Sequence, residues 1–364
     1  MKLRYIKLIV LLIIVIVGCH NSIYNNALVV PYSSPEITYS GRIDSLHKKH
    51  VDIYWSGSSI KLNFEGAAIA VQMKDETAKN YYNVILDNDS IIIFKPDTML
   101  QYHQLFSDLK KGAHSIEIFK RTEWGNGKTS FYGFRIEGDA KLLEKPEIKK
   151  RKIEFYGNSI TAGYGNEDYE ADRSDSIFTN NYNSYAAITA RHFNAEYSCI
   201  AKGGIGLMLS WFNFTMPQLY DRFAPNDDSR IWDFEKYKPQ IVVINLFQND
   251  SWLVKKPERK EFYAKFGTTP PNRVYIIKAY KDFIGKIRSK YPDADIICAL
   301  GSMDATKEGS LWPAYIESAV KELNDKKMHT LFFPYKKTPG HPKVNEHEVM
   351  AKQLIEFIEK EIPW

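Results

Sequence analysis

Residues after about 152 alternate between short apolar runs and longer amphipathic stretches, and this alternation constrains the fold more than any other feature. Such alternation predicts a parallel sheet with helices on both faces. Gln240–Leu246 is the most apolar run, as expected for a strand that is buried on both faces. We predict strands at Lys152–Phe155, Glu196–Ala201, Gln240–Leu246, Asp293–Ala299 and Thr330–Pro334, and helices at Ser184–Phe193, Arg273–Tyr291, Leu311–Asp325 and Glu346–Ile362.

The region from residue 32 to residue 145 has a different pattern. Runs rich in β-branched and aromatic residues, such as "SIKLNFEG", "AIAVQMKD" and "TSFYGFRIEG", are separated by turn-forming segments such as "KKGAH" and "GNGK". Short strands at regular spacing are typical of an antiparallel sandwich. The charged segment "LLEKPEIKKRK" follows and has the composition of a linker. We therefore predict a jelly-roll-like β-sandwich at 32–145 and an α/β domain at 146–364.

The first residues have the pattern of an export signal. A basic start precedes an apolar run from Leu8 to Val17, which is shorter than the ~20 residues that a membrane-spanning helix needs. The run ends at Gly18-Cys19, which resembles a bacterial lipobox, although an ordinary signal peptide with a chance cysteine is the alternative. We expect a lipoprotein signal peptide at 1–18, lipidation of Cys19, a tether at 19–31, and an exported protein anchored to the outer or cytoplasmic membrane, in the periplasm or at the cell surface.

Charge and composition exclude several functional classes. The chain is 26% charged and 44% hydrophobic, which excludes disorder. Its net charge of +5 includes three basic residues of the export signal, so a chain that begins at Cys19 is nearly neutral and offers no electrostatic case for nucleic acid. Cys199 and Cys298 lie in apolar runs and are expected to be buried free thiols. No Cys/His spacing is typical of a metal site, so we expect no metal and no cofactor.

Four distinctive segments follow the predicted parallel strands. Ser159 lies in "GNSITAGYG", Gly203 and Gly204 in "AKGGIG", Asn249 in "FQND" and His341 in "TPGHP". Gly, Asn and Ser also favour turns, so Ser159 alone would indicate only a turn. However, ligands of open parallel sheets bind beyond the carboxyl ends of the strands. A hydroxyl, backbone N–H groups, an amide and an imidazole are the groups that nucleophilic acyl transfer needs.

These segments resemble the ordered motifs of the SGNH (GDSL-type) hydrolases. With the preceding β-domain, the chain resembles the acetyl-xylan esterases of carbohydrate esterase family 2. The resemblance implies a flavodoxin-like parallel sheet sandwiched by helices. It also implies that Ser159 is the nucleophile and His341 the base. The oxyanion donors would be the Ser159 N–H, the Gly204 N–H, with Gly203 as a near rival, and the Asn249 amide.

The segment that contains the histidine departs from the family pattern. Family members commonly carry an aspartate two or three residues before the histidine, where this chain has Thr338 and Pro339. We therefore predict a Ser–His dyad in which one of these two backbone carbonyls accepts a hydrogen bond from the imidazole Nδ1–H. A carboxylate from elsewhere, Asp250 or Glu348, is the alternative.

Other residues carry weaker hypotheses. Asn158 replaces the aspartate that usually precedes the nucleophile, and it keeps the same turn chemistry. Phe247-Gln248 replaces the usual Gly-Thr, and Phe247 would narrow the cleft if its ring faced it. Trp252 and Trp312 are candidates for stacking on a sugar ring, although most tryptophans are core residues. His347 is expected to have no catalytic role.

The resemblance implies an exported serine esterase that removes O-acetyl groups from plant-type polysaccharide, of the acetyl-xylan or acetyl-glucomannan class. Its partners would be the acetylated polysaccharide or oligosaccharide and a membrane. Two alternatives remain open. One is a lipase or arylesterase that acts on other acyl esters with the same catalytic groups. The other is a carbohydrate-binding lipoprotein whose catalytic half has decayed.

Overall fold

The structure, a computed structural model, describes residues 27–364. Residues 28–142 form two antiparallel sheets around one apolar core. The strands are β1 Leu28–Pro31, β2 Thr38–Ser40, β3 Ile43–Asp44, β4 Val51–Ile53, β5 Ser59–Glu65, β6 Ala68–Asp75, β7 Tyr82–Leu86, β8 Ser90–Phe94, β9 Gln101–Phe106, β10 Ala113–Lys120, β11 Thr129–Glu137 and β12 Lys141–Leu142. One sheet has the order β3-β4-β11-β6-β9 with β1 beside β11, and the other has the order β12-β5-β10-β7-β8 with β2 beside β5.

The core of this domain follows from the alternation of apolar and polar residues. In β5, Ile60, Leu62 and Phe64 are fully buried, whereas Lys61 and Asn63 between them are half-buried. Successive side chains of a strand point to opposite faces of the sheet, so the apolar set faces the second sheet. The same packing brings residues of both sheets into one hydrophobic cluster.

Residues 152–332 form a parallel sheet that is flanked by helices. Its strands are β13 Lys152–Gly157, β14 Glu196–Ala201, β15 Ile241–Asn245, β16 Asp295–Leu300 and β17 Met328–Phe332, and the described helices are α1 Ser159–Ala162, α2 Tyr185–His192, α3 Met216–Leu219, α4 Gln248–Leu253, α5 Lys260–Phe266, α6 Arg273–Lys290, α7 Trp312–Leu323 and α8 Val344–Glu361. The strand order β14-β13-β15-β16-β17 is the flavodoxin-like order, with a switch in direction at β13. The predicted fold class is confirmed, for the sheet with its helices and for the strand-rich domain before it.

Both faces of this sheet are covered, which explains the continuous apolar run in β15. Val242 and Ile244 pack in one cluster with residues of α6 and α7. Val243, between them, packs in a second cluster with residues of α2 and α8. A strand with both faces buried needs apolar residues at every position.

The two domains are joined by buried polar contacts. Arg42 of the β-domain is 1% exposed and donates hydrogen bonds to the carbonyl oxygens of Tyr220 at 2.7 Å and Arg222 at 2.8 Å. The Trp55 Nε1–H donates to the carbonyl oxygen of Phe223 at 2.9 Å. Buried donors with partners in the other domain fix how the β-domain sits on the α/β domain.

The prediction for Cys199 and Cys298 is confirmed, because both are buried free thiols. Burial raises the pKa of each thiol to about 12, so neither acts as a nucleophile near neutral pH.

Candidate active site

Ser159 stands directly beyond the carboxyl end of β13, at the first residue of the short helix α1. The side chain of Asn158 caps this helix by accepting a hydrogen bond from the Ile160 N–H at 3.0 Å. A Cβ on Gly157 would lie 2.0 Å from Thr161 Oγ1, so the tight strand-to-helix turn requires glycine there. The turn interpretation and the nucleophile interpretation of Ser159 are therefore compatible.

His341 lies in the segment before α8, 182 residues from Ser159 in sequence, and its Nε2 is 3.0 Å from Ser159 Oγ. Its Nδ1 lies 2.8 Å from Asp172 Oδ2. An ionised carboxylate can only accept, so the ring proton sits on Nδ1 and Nε2 accepts the Ser159 hydroxyl proton. This is the hydrogen-bonded arrangement of a nucleophile, a base and an orienting carboxylate.

The predicted dyad with a backbone acceptor is wrong. The carbonyl oxygens of Thr338 and Pro339 accept hydrogen bonds from Lys336 Nζ, at 2.8 Å and 3.3 Å, and Asp172 bonds His341 Nδ1 instead. A carboxylate is the stronger acceptor, and it also stabilises the imidazolium that a carbonyl leaves uncompensated.

Neither of the alternative carboxylates reaches His341. Asp250 is fully buried and accepts from the backbone N–H groups of Leu207, Met208 and Leu209. Glu348 is exposed on α8. Asp250 thus holds the backbone that follows the glycine segment, rather than the histidine.

Asp172 lies in the irregular segment between α1 and α2, which the sequence analysis did not single out. Burial raises the pKa of the Asp172 carboxyl, but hydrogen bonding and the charge of His341 outweigh it and hold this pKa below the ordinary value. An ion pair between Asp168 Oδ1 and Arg173 Nη2, at 2.7 Å, stabilises the segment. Lys343 Nζ donates to the carbonyl oxygens of Gly165 at 3.1 Å and Ala171 at 3.0 Å. The only feature of the sequence that could have indicated Asp172 is that its segment comes soon after the nucleophile Ser159.

The two candidate glycines differ in their hydrogen bonding. The Gly203 N–H donates to Glu123 Oε2 at 2.9 Å. Within residues 27–364, no group accepts a hydrogen bond from the Gly204 N–H. Gly204 has φ +81°, and a Cβ there would contact Trp211 and Phe212 at 3.3 Å, so the conformation favours glycine. Of these two backbone N–H groups, only that of Gly204 is therefore left without an acceptor within residues 27–364.

Asn249 lies in the first turn of α4, beyond the carboxyl end of β15, and is 3% exposed. Its Nδ2 donates to the carbonyl oxygen of Ile205 at 2.7 Å, and its Oδ1 accepts from Trp211 Nε1 at 3.0 Å. An amide nitrogen carries two N–H groups, so the second N–H of Asn249 is left for another acceptor, but Asn249 is not among the residues that line the cavity beside Ser159.

A cavity of about 440 Å³ opens beside Ser159 and His341. Both domains contribute to its lining, which is mostly polar: Glu123, Gly125, Asn126, Tyr164, Asp172, Ser174, Ser176, Thr179, Lys202, Gly203 and Gly204. Lys202 Nζ lies 4.6 Å from the centroid of the Trp124 ring. Sugars, which present many hydroxyl groups, suit such a lining better than alkyl chains do.

Trp252 and Trp312 line a different cavity, which does not include Ser159 or His341. Trp252 Nε1 donates to Asp304 Oδ2 at 2.8 Å. Trp312 is 8% exposed, and its ring packs edge-on against the fully buried Phe247. The tryptophans therefore do not join the predicted site, and Phe247 does not face the cleft.

His347 is fully buried and accepts a hydrogen bond from the Tyr185 N–H at its Nδ1, at 3.2 Å. Burial, followed by the charge of His341, lowers the pKa of His347 to about 3. It is therefore a neutral packing residue, as expected.

We predict a specific pH dependence of stability from His347. The unfolded chain binds one more proton than the folded one between about pH 3 and pH 6.5, so the free energy of unfolding should fall as the pH drops through this interval. His347→Asn keeps an acceptor for the Tyr185 N–H and should reduce the pH dependence of the free energy of unfolding over this interval. Urea unfolding across the interval measures it, with the partly exposed His192, changed to Asn, as the control. An unchanged slope in His347→Asn would contradict this assignment.

One group of residues outside the cavity has ligand atoms spaced for a metal ion, namely His47, His50 and Asp52, whose atoms lie within 4.8 Å of one another. Lys128 Nζ already pairs with Asp52 Oδ2 at 2.6 Å, and the Ser130 hydroxyl donates to Oδ1. Because a protein cation occupies the carboxylate, we assign no metal to this group.

Cys19 lies outside the described residues. From residue 27 onward, no helix combines the length and apolar character needed to cross a membrane.

Comparison with known proteins supports the resemblance. Residues 39–146 match the family described as "Carbohydrate esterase 2 N-terminal", and residues 155–327 match the "GDSL-like Lipase/Acylhydrolase family". A solved family two carbohydrate esterase from Clostridium thermocellum, in complex with cellohexaose, has 34% sequence identity and a TM-score of 0.80. The similarity covers 90% of this chain and 99% of that one.

Two further relatives are similar to most of this chain. The "Cellulase/esterase CelE" of Acetivibrio thermocellus is 35% identical over 347 residues, which span 91% of this chain but only 40% of that protein. An "Acetylxylan esterase / glucomannan deacetylase" of Cellvibrio japonicus is 23% identical over 359 residues, covering 95% of each chain.

Proposed function

Because this chain belongs to carbohydrate esterase family 2 and is a carboxylic ester hydrolase, we propose that it removes O-acetyl groups from plant-type polysaccharide of the acetyl-xylan or acetyl-glucomannan class. The observation that carries the proposal is the hydrogen-bonded chain from Ser159 through His341 to Asp172. The mostly polar cavity beside it supports a sugar substrate.

In the proposed reaction, Ser159 Oγ attacks the acetyl carbonyl carbon while His341 Nε2 takes the hydroxyl proton. Negative charge develops on the carbonyl oxygen, which accepts from the Ser159 N–H, the Gly204 N–H and the Asn249 amide. The bond from the carbonyl carbon to the sugar oxygen then breaks, and His341 returns the proton to that oxygen. Water repeats the sequence on the acetyl-enzyme and releases acetate, and Asp172 stabilises the imidazolium in both halves.

We expect acetate to be the preferred acyl group. No Leu, Ile, Val, Met or Phe side chain of the described residues lines the cavity to pack against a long alkyl chain, so kcat/KM should fall from 4-nitrophenyl acetate through butyrate to octanoate. The same enzyme should release acetate from acetylated xylan or glucomannan, followed by NMR. An optimum beyond butyrate would favour the lipase alternative. Binding of acetylated glycan without turnover would favour the decayed-enzyme alternative.

The proposal includes export as a lipoprotein. It rests on the basic start, the apolar run from Leu8 to Val17 and the following Gly18-Cys19. An exported enzyme would meet polysaccharide outside the cytoplasm, and a lipid on Cys19 would hold it at the membrane.

A further inference from the structure

Glu123 is one of the β-domain residues that line the cavity beside Ser159, together with Gly125 and Asn126. It lies in the connection between β10 and β11, and its carboxylate crosses to the α/β domain to accept the Gly203 N–H at Oε2. The residue is 8% exposed, and it lines the same cavity as Ser159 and His341.

The second carboxylate oxygen of Glu123 is unpaired. Oε1 is buried and accepts no hydrogen bond from any group of residues 27–364. A Cβ built on Gly203 would lie 2.9 Å from Oε1, which places this oxygen beside the glycine segment that lines the cavity. A buried acceptor without a partner is costly, so such an atom in a binding cavity points to a donor supplied by the ligand.

The backbone around Glu123 is held firmly. Lys120 is fully buried, and its Nζ donates to Asn80 Oδ1 at 2.6 Å and to the carbonyl oxygens of Thr122 at 3.2 Å and Glu123 at 3.4 Å. The next residue, Trp124, packs edge-on against Trp55. The backbone position of Glu123 is therefore fixed, which is what a residue that binds a ligand with its side chain needs.

We propose that Glu123 Oε1 accepts a hydrogen bond from a free hydroxyl of the sugar that carries the acetyl group. This inference rests on the proposed function and deepens it, because it assigns the β-domain a part of substrate recognition. Glu123 Oε2 also occupies the Gly203 N–H, which leaves the Gly204 N–H to the oxyanion. The ligand class is a neutral sugar ester with a hydroxyl near the ester, and simple alkyl or aryl esters lack this donor.

Binding in a Ser159→Ala background tests the proposal without turnover. Calorimetry with acetylated xylo-oligosaccharides and gluco-oligosaccharides should show about tenfold weaker binding when Glu123→Gln is added, as expected for the loss of a hydrogen bond to a charged group. Glutamine still offers one acceptor to the Gly203 N–H but places N–H groups where Oε1 was. Glu117→Gln is the matched control, because Glu117 lies in the same domain, pairs with Lys61 at 3.6 Å and does not line this cavity.

A set of monodeoxy ligands, each lacking one sugar hydroxyl, distinguishes a direct hydrogen bond to Glu123 from a general disturbance of the binding site. If Glu123 binds a hydroxyl, one deoxy ligand should bind the Ser159→Ala protein about tenfold more weakly than the parent oligosaccharide does. Adding Glu123→Gln should then weaken the binding of that deoxy ligand no further. In the active enzyme, Glu123→Gln should raise KM for the glycan more than it lowers kcat.

The outcomes distinguish the two proposals. If Glu123→Gln weakens glycan binding but the parent protein, with Ser159 intact, releases no acetate, this inference would be retained and the proposed function overturned. Full acetate release with unchanged binding in Glu123→Gln would overturn only the inference. Equal losses for every deoxy ligand, or no oligosaccharide binding by Ser159→Ala, would also overturn the inference.

Discussion

Replacing Ser159 with alanine is expected to reduce acetate release on the order of 10⁵-fold to 10⁶-fold, because the attacking oxygen is removed and no acetyl-enzyme can form. Activity should be measured with both 4-nitrophenyl acetate and acetylated glucomannan. The residual rate should approach what the oxyanion donors and substrate binding supply without a nucleophile.

The matched control for this experiment is Ser289→Ala. Ser289 is exposed near the end of α6, its hydroxyl donates to the carbonyl oxygen of Lys286, and it does not line the cavity beside Ser159. This control should keep the parent activity. A Ser159→Ala protein that is folded by near-UV circular dichroism and still releases acetate at the parent rate would end the proposal.

Asp172→Asn is expected to lower kcat about 10³-fold with little change in KM, which is less than the loss of about 10⁴-fold that this change causes at a buried triad aspartate. The amide can donate to Nδ1, which favours the wrong imidazole tautomer and removes the charge that stabilises the imidazolium. The Asp172 side chain is 34% exposed, so water partly screens its charge, which is why we expect a smaller loss.

Asp175→Asn is the control for this second prediction, because Asp175 is exposed in the same segment and its side chain makes no capping hydrogen bond. It should retain the parent kcat. If Asp172→Asn also retained the parent kcat, the Asp172 carboxylate would have no part in catalysis, and Ser159 and His341 would act as a dyad.

The fold was predictable because its signals are local. Alternation of period two in β5, and unbroken apolar runs such as that in β15, follow from which faces of each strand are buried. Four of the predicted site residues stand beyond strand ends or in the segment before α8, where topology alone brings them to one edge of the sheet.

The triad acid was not predictable, because it depends on how an irregular segment folds back. Asp172 shares its segment with Asp168, Glu170 and Asp175, and no spacing distinguishes it from them. Only the tertiary structure brings its carboxylate to His341, 169 residues away in sequence. The orienting carboxylate of a triad is set by geometry, and not by its distance from the histidine in sequence.

Phe247 shows how an unusual residue can be accommodated. It has φ +85°, the left-handed region that favours glycine, and glycine is the residue that the family resemblance implies there. Its ring is fully buried and packs against Tyr280 and Trp312, each with a centroid separation of 4.9 Å. Aromatic packing of this kind offsets the backbone strain, and no sequence pattern revealed that the ring points away from the cleft.

The central claim is that Ser159 Oγ becomes acetylated during turnover. Rapid acid quenching of the enzyme with excess 4-nitrophenyl acetate, followed by peptide mass spectrometry, tests it most directly. The account predicts one added acetyl group on the peptide that contains Ser159, and none in Ser159→Ala. An acetyl group that is turned over on another residue, with Ser159 unmodified, would contradict it.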